Sequence, residues 1–387
     1  MNNAPAFKAD ILIVDDTLAN LRLLSQMLVG QGYEVRAVTS GARALESVGV
    51  AAPDLILLDI KMAEMDGYQV CQRLKGDERS RDIPVIFISA LDDIQDKISA
   101  FKAGGVDYIT KPFQLEEVLA RLETHLHLRR LQRSLEEANN KMAHELEMAA
   151  RMQHNFLPHE LPKIPGYELT AALKPARETS GDFYDVYELP DGRYGLLIAD
   201  VVDKGVAAAL FMVLSWSLIR TYARVYPDQP EQVFAAVNQR LLKDTEARQY
   251  VTAFYGVLEP RSGELTYSNA GHLPPLLVRQ GEGSPHKLNR TGIPLGIFEE
   301  QSWESAKASL APGELLLCYT DGVPDAQNTE GEFFGEGRLL RAIRSRAGEP
   351  ARQVQAGILA DIAGYTDHAD QFDDIALVLL QRDAPPM

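Results

Sequence analysis

Between residues 10 and 113 the chain repeats one pattern five times. A short apolar run closes on polar residues, and an amphipathic stretch of helical spacing follows. The runs are DILIVDD, YEVRAVT, DLILLD, PVIFISA and VDYITKP, with stretches such as LANLRLLSQMLVGQG between them. Strands alternating with helical crossovers argue for a five-stranded, doubly wound parallel sheet. Ligands of such sheets sit at the carboxyl ends of the strands. Those ends carry Asp15, Asp16, Asp59, Ser89 and Lys111.

The five residues make chemical sense together. Asp15 and Asp16 suit a hard divalent cation such as Mg²⁺. Asp59 is a candidate nucleophile, because a carboxylate accepts a phosphoryl group as an acyl phosphate. The metal and Lys111 offset charge on the transferring group, and Ser89 offers it a hydrogen bond. Lys111-Pro112 suggests a cis-proline turn that aims the lysine. One acid at a strand end is as readily a solvated loop residue, but five at matching ends are not. Over about residues 8–125 the pattern resembles the receiver domain of bacterial response regulators. The resemblance implies that Asp59 takes phosphate from a cognate histidine kinase, with Asp15, Asp16 and Asp59 on receiver Mg²⁺. It also implies that Ser89 and Tyr108 form the switch pair beside Lys111.

Residues 114–157 contain neither Gly nor Pro. Leu128, Leu131, Leu135, Ala138, Met142, Ala149, Met152 and Phe156 recur at a spacing of three to four, with Glu145 a polar break. That pattern predicts a long helical linker with a coiled-coil seam, weakened in its middle by Asn139 and Asn140. PHELPKIPGYEL then stops the helix.

From residue 166 onward the pattern changes class. RYGLLIADVVD, VTAFYGVLEP, GELTYSNAG, PPLLVRQ, ELLLCYTDG and DDIALVLLQR read as strands, many joined by Gly-containing turns. Helices are expected at 205–225, 229–243, 336–347 and 350–364. This is an α+β domain of mainly antiparallel sheets flanked by helices. Four acidic motifs recur in it: SGDFYD (Asp182, Asp185), IADVVDKG (Asp200, Asp203), CYTDGVPDA (Asp321, Asp325) and QFDDIAL (Asp373, Asp374). Asp-Gly and Asp-Asp pairs are also plain turn chemistry, which would account for Asp321-Gly322 alone. Four apolar strands that each run into Asp suggest instead a concentration of like charge that cations make tolerable. Ligands that are all oxygen favour Mg²⁺ or Mn²⁺ over zinc. Two such ions would position a hydroxide and clamp a phosphoryl group.

These motifs, with ELEMAARMQHNFLP, NAGHLPPLL, GIPLGIF and LLLCYTDGVPDAQN, resemble the SpoIIE/RsbU-like branch of the PPM serine/threonine phosphatases over roughly residues 145–382. The resemblance assigns two Mn²⁺ or Mg²⁺ ions to Asp182, Asp200, Asp321 and Asp373 with the backbone carbonyl of Val201. Asp200 would be the bridging ligand. It also suggests a phosphorylated protein substrate, an anti-sigma-factor antagonist. Two departures stand out: Asp203 where the family often has Gly, and Ser180-Gly181 where it often has Gly-Gly. Arg177 is close in sequence to the phosphate-binding Arg of the human members, without being a certain counterpart. His272 is a candidate near the substrate path or a structural residue.

The expected organisation is therefore a receiver at 8–125, a coiled-coil linker at 114–157 that makes a homodimer, and a phosphatase domain at 158–382. The net charge of −16 makes nucleic acid or an anionic membrane a poor partner, and no basic recognition helix follows the receiver. Cys71 and Cys318, far apart in apolar surroundings, fit reduced thiols in a cytoplasmic protein. The N-terminus lacks a signal-peptide pattern. The apolar stretch 206–219 reads as a buried helix too short for a bilayer. The rival to an enzyme is a non-catalytic adaptor that binds a partner under receiver control.

Overall fold

The computed structural model describes residues 7–90, 94–158, 160–245, 249–279 and 284–384. The chain divides into two compact units, Met1–Lys141 and Met142–Met387.

The first unit alternates β1 (Asp10–Val14), α1 (Leu18–Val29), β2 (Glu34–Val38), α2 (Gly41–Val50), β3 (Leu55–Asp59), α3 (Gly67–Gly76), β4 (Val85–Ser89), α4 (Ile94–Lys102) and β5 (Asp107–Thr110). The strands form a parallel sheet in the order β2-β1-β3-β4-β5. Strands β1, β3 and β4 are apolar on both faces because helices cover both. Ile11, Ile13, Leu55, Leu57 and Ile86 pack with Leu24 and Leu28 of α1 and with Val118 and Leu122. Leu12, Val14, Ile56, Leu58 and Phe87 pack with Ala44 of α2, Val70 and Leu74 of α3 and Ala100 of α4.

Helix α5 (Leu115–His154) is continuous for 40 residues, through Asn139 and Asn140. Val118, Leu122 and Leu126 bury against the first unit's sheet. Beyond them the expected seam lies open: Leu131 is 54% exposed, Leu135 62%, Met142 61% and Met152 61%.

The second unit contains β6 (Tyr167–Lys174), β7 (Asp182–Glu188), β8 (Tyr194–Val201), α6 (Val206–Val225), α7 (Pro230–Asp244), β9 (Val251–Glu259), β10 (Glu264–Ala270), β11 (Leu276–Val278), β12 (His286–Lys287), β13 (Ala306–Ser309), β14 (Leu315–Tyr319), α8 (Gly335–Ser345), α9 (Ala351–Thr366) and β15 (Ile375–Arg382). Two antiparallel sheets result, ordered β13-β10-β9-β8-β7 and β12-β11-β14-β15-β6. Period-2 alternation sends Leu196, Ile198, Phe254, Leu316, Val378 and Leu380 into the core between the sheets. The opposite residues, Phe183, Leu197 and Tyr255, meet Phe211 of α6 and Phe234 of α7. Leu317 and Leu377 meet Leu339 of α8 and Ile358 of α9. The layers are thus helix, sheet, sheet, helix.

Helix α6 matches the helix expected at 205–225 and runs past the charge-free stretch 206–219 to take in Arg220 and Arg224. At 20 residues it is long and apolar enough to cross a membrane. Here Phe211, Met212, Ile219 and Ala223 bury it against the sheet of β7–β9. Cys71 and Cys318 are both buried and unbridged.

Candidate functional site

Parallel strands bring their carboxyl ends to one edge, and the first unit gathers its acids there. Asp15 and Asp16 follow β1, and Asp59 closes β3. Their carboxylate oxygens come within 4.8 Å of one another. Asp15 is fully buried and Asp59 nearly so. Asp15 accepts from Asn20 Nδ2 at 2.9 Å and from the Thr17 backbone N–H at 2.8 Å. Lys111 Nζ lies 2.9 Å from both Asp15 Oδ2 and Asp59 Oδ2. The Lys111-Pro112 peptide is cis, as its sequence suggests. Burial holds the Asp59 carboxyl above its ordinary range, against the pull of Lys111. Ser89 ends β4, beside Thr110 of β5. Tyr108 on β5 stands edge-on to Phe101 and 4.7 Å below Lys97 Nζ.

Antiparallel strands gather the second set differently. Asp200 lies near the end of β8, and Asp321 follows β14. Asp182 opens β7, and Asp373 precedes β15. Two of the four strands thus lead away from their acid, whereas the sequence pattern suggested strands running into it. Reversed neighbours need opposite ends to meet at one edge. Asp182 and Asp200 are directly paired across β7 and β8.

The acids of this edge feel one another strongly. Burial, and then Asp200, push Asp182 well above the ordinary carboxyl range. Burial and Asp321 push Asp200 up to about 7. Burial and Asp373 push Asp321 up to about 6. Asp182 Oδ2 is buried without a hydrogen-bond partner. The Thr320 hydroxyl hydrogen-bonds Asp182 and works against its shift. An unpartnered buried carboxylate oxygen among like charges is what a hard cation relieves, so the oxygen donors fit divalent metal ions. The set is more open than the receiver's. Among the described residues, only Asp15, Asp16 and Asp59 form a group as tight as 4.8 Å.

Backbone close approach shapes this edge. A side chain at Gly181 would stand 2.9 Å from the Val201 carbonyl oxygen. Gly322 is closed off by the backbone of Asp373 and Asp374. Both glycines let acid-bearing segments lie together.

Neighbouring residues divide into several roles. Asp185, three positions along β7, faces away from Asp182. It accepts from Trp216 Nε1 at 2.9 Å and pairs with Arg220 Nε at 3.3 Å. Asp374 is a buried brace, accepting from Ala176 N–H at 2.7 Å and from Gly181 N–H and Ser180 Oγ at 2.8 Å. Asp373 pairs with Lys204 Nζ at 3.0 Å. Lys204 also bonds the Phe372 carbonyl at 2.8 Å and lies over its ring. Asp203 has φ +85°, a conformation that favours glycine and matches the family's usual residue. Its exposed carboxylate turns to the Lys204 N–H at 2.9 Å. Arg177 is exposed. His272 is buried, pairs through Nδ1 with Thr252 Oγ1 at 2.9 Å, and is pushed down to about 4 by burial. Thr252 stands opposite Asp200 in the β8–β9 ladder, on the same face of the sheet, so His272 braces a direct neighbour of the acids.

A family model for stage II sporulation protein E (SpoIIE) matches residues 190–383, half of the chain. The chain belongs to the SpoIIE family. The response regulator receiver domain model matches residues 11–123. Protein IcfG of Synechocystis sp. is 33% identical over 264 residues, 62% of this chain and 41% of IcfG. The chain thus spans less than half of that relative. Phosphoserine phosphatase RsbU of Bacillus subtilis is 27% identical over 241 residues, 62% of this chain and 70% of RsbU. The solved SiaA-PP2C domain of Pseudomonas aeruginosa aligns with a TM-score of 0.57 and 22% identity, covering 64% of this chain and all but 1% of that domain. That likeness bears on fold: the SpoIIE-family part of this chain has the PP2C sandwich, joined to a response-regulator receiver.

Several residues around the SpoIIE-family site were not singled out from sequence. Thr320 and Lys204 are adjacent to site aspartates in the chain, which was a usable signal. Gln153 meets Ser180 across 27 positions, and no local pattern marks it.

Proposed function

We propose that the protein is a response regulator whose output is a metal-dependent phosphatase for phosphoserine or phosphothreonine in a protein substrate. The observation that carries the reading is the edge where Asp182, Asp200, Asp321 and Asp373 converge around a buried, unpartnered carboxylate oxygen. These carboxylates, with the Val201 carbonyl, would hold two Mn²⁺ or Mg²⁺ ions. Bound there, such ions would supply a hydroxide at neutral pH and charge neutralisation at the phosphoryl group. The chain supplies the rest. Asp374 and Thr320 fix Asp182, and Gly181 and Gly322 let the acid-bearing segments close together. His272 and Thr252 brace the strand opposite Asp200.

In the receiver, Asp59 would accept phosphate from a histidine kinase, with Mg²⁺ held by Asp15, Asp16 and Asp59. Lys111 is placed to neutralise the phosphoryl group, and Ser89 and Tyr108 would respond to it. The open seam of α5 would pair with the same helix of a second copy, giving a homodimer that couples the receiver to the phosphatase. The resemblance to RsbU-like proteins supports an anti-sigma-factor antagonist as substrate.

The test is hydrolysis of a phosphoserine peptide and of a generic phosphate ester, with and without acetyl phosphate. Turnover is expected to need Mn²⁺ or Mg²⁺, to vanish with chelator and to change on Asp59 phosphorylation. Full turnover in the metal-stripped protein would overturn the reading, and specific binding of a partner without any turnover would favour the adaptor.

A further inference from the structure

The last turn of α5 reaches the strand that opens with Asp182. Gln153 is polar yet buried. It places both ends of its amide on one residue: Nε2 donates to the Ser180 carbonyl, and Oε1 accepts from the Ser180 N–H at 3.0 Å. Ser180 Oγ then donates to Asp374 Oδ2 at 2.8 Å, and the Gly181 N–H donates to the same oxygen at 2.8 Å. The next residue is Asp182. A second contact lies further along β7. Phe156 stands edge-on to Trp216 at 5.6 Å, and the Trp216 indole bonds Asp185. Leu157 buries in the same core.

Apolar contact alone would hold the helix end while tolerating slip. A buried amide spent wholly on one backbone residue fixes distance and orientation together, because leaving either bond unmade is costly. A cavity of about 590 Å³, lined in part by Arg151, His154, Glu178 and Tyr184, borders this contact. The turn is therefore held on the Ser180 side and has free space beside it.

We propose that Gln153 is a positioning residue for the acidic site: through Ser180 it sets the placement of Asp182 and Asp374, so that the position of α5's last turn governs metal binding. This rests on the phosphatase reading. It adds the specific contact through which α5 acts.

The test is Mn²⁺ binding to the full-length protein by calorimetry, with turnover measured in parallel. Hydrogen exchange of the segment 176–186 gives a readout of the clamp itself. Gln153→Ala is expected to weaken Mn²⁺ binding by about tenfold, as loss of an outer hydrogen-bond partner does. Turnover should recover at saturating Mn²⁺, exchange in 176–186 should rise, and the response to acetyl phosphate should shrink. His144→Ala, on the same helix but exposed and outside the seam, should behave as wild type. Should Gln153→Ala fold poorly, Gln153→Glu keeps the volume and the bond from the Ser180 N–H but opposes the Ser180 carbonyl, and should show the same weakening. Wild-type Mn²⁺ affinity in a folded Gln153 variant would overturn the clamp and leave the phosphatase reading standing. A wild type that neither binds Mn²⁺ in its second unit nor turns over would overturn both.

Discussion

At the receiver site Lys111 stands 2.9 Å from both Asp15 and Asp59. At the sandwich edge Lys204 reaches Asp373 at 3.0 Å, while Asp182 keeps an oxygen with no partner. The contrast follows from chemistry. A carboxylate poised for phosphorylation would need a cation in place for the incoming charge, and Lys111 pairs with two of the three clustered acids. Carboxylates acting as metal ligands would need lone pairs left open, and bound metal would relieve their mutual repulsion. Topology produces the same difference. Parallel strands deliver a compact group to one edge, whereas antiparallel strands deliver a wider one from alternating strand ends.

Exchanging the roles of the two sites gives the largest expected effects. Asp200→Asn should lower phosphate-ester turnover by more than about a hundredfold, while mass spectrometry still finds on Asp59 the phosphoryl group donated by acetyl phosphate, with acetate released. Asp59→Ala should lose that modification and keep basal turnover. If either substitution removed both properties, the sites would not be separable as described. Next in size is the link between them. Leu135→Asp with Met142→Asp places charge on the exposed seam of α5 and should give a monomer, by light scattering, whose turnover ignores Asp59. A wild type that is monomeric with regulation intact would remove the coiled-coil dimer from the account.

How much of this was legible in the sequence depends on the range of the contact that decides it. The receiver strands, their terminal Asp15, Asp59 and Lys111, and the helices of the second unit follow from local periodicity. The four acidic motifs are equally visible. Asp185 shares a motif with Asp182, yet three positions along a strand turn a side chain to the other face, and it serves α6 instead. The adjacent Asp373 and Asp374 look alike in sequence. The first faces Lys204, and the second braces Ser180 across 194 positions. No local pattern distinguishes the two, and the same holds for Gln153.

Smaller effects sharpen the contrast in charge balance. Lys204→Met removes the cation beside Asp373 and should tighten Mn²⁺ binding in the second unit by about five- to tenfold, the scale of one nearby partly screened charge. Weaker binding would make Lys204 a support for the site. The pH dependence is smaller still. Asp200 and Asp321, raised to about 7 and about 6 from 3.8, hold protons in the folded metal-free protein that the unfolded chain has released. Their contribution is fully present below the unfolded value of 3.8 and is lost as pH rises through about 6 to 7. Bound metal would replace those protons. The rise in melting temperature on adding Mn²⁺ should therefore be larger at pH 8 than at pH 5.5. An equal rise at both would contradict the assignment of these two carboxylates.

The central claim is that the sandwich edge is a divalent-metal site distinct from the receiver's. The direct measurement is Mn²⁺ binding to the full-length protein, followed by electron paramagnetic resonance, for wild type and for Asp200→Asn with Asp373→Asn. The variant is expected to lose the manganese bound by the second unit and to keep what Asp15, Asp16 and Asp59 hold. Identical binding curves for the two proteins would contradict it.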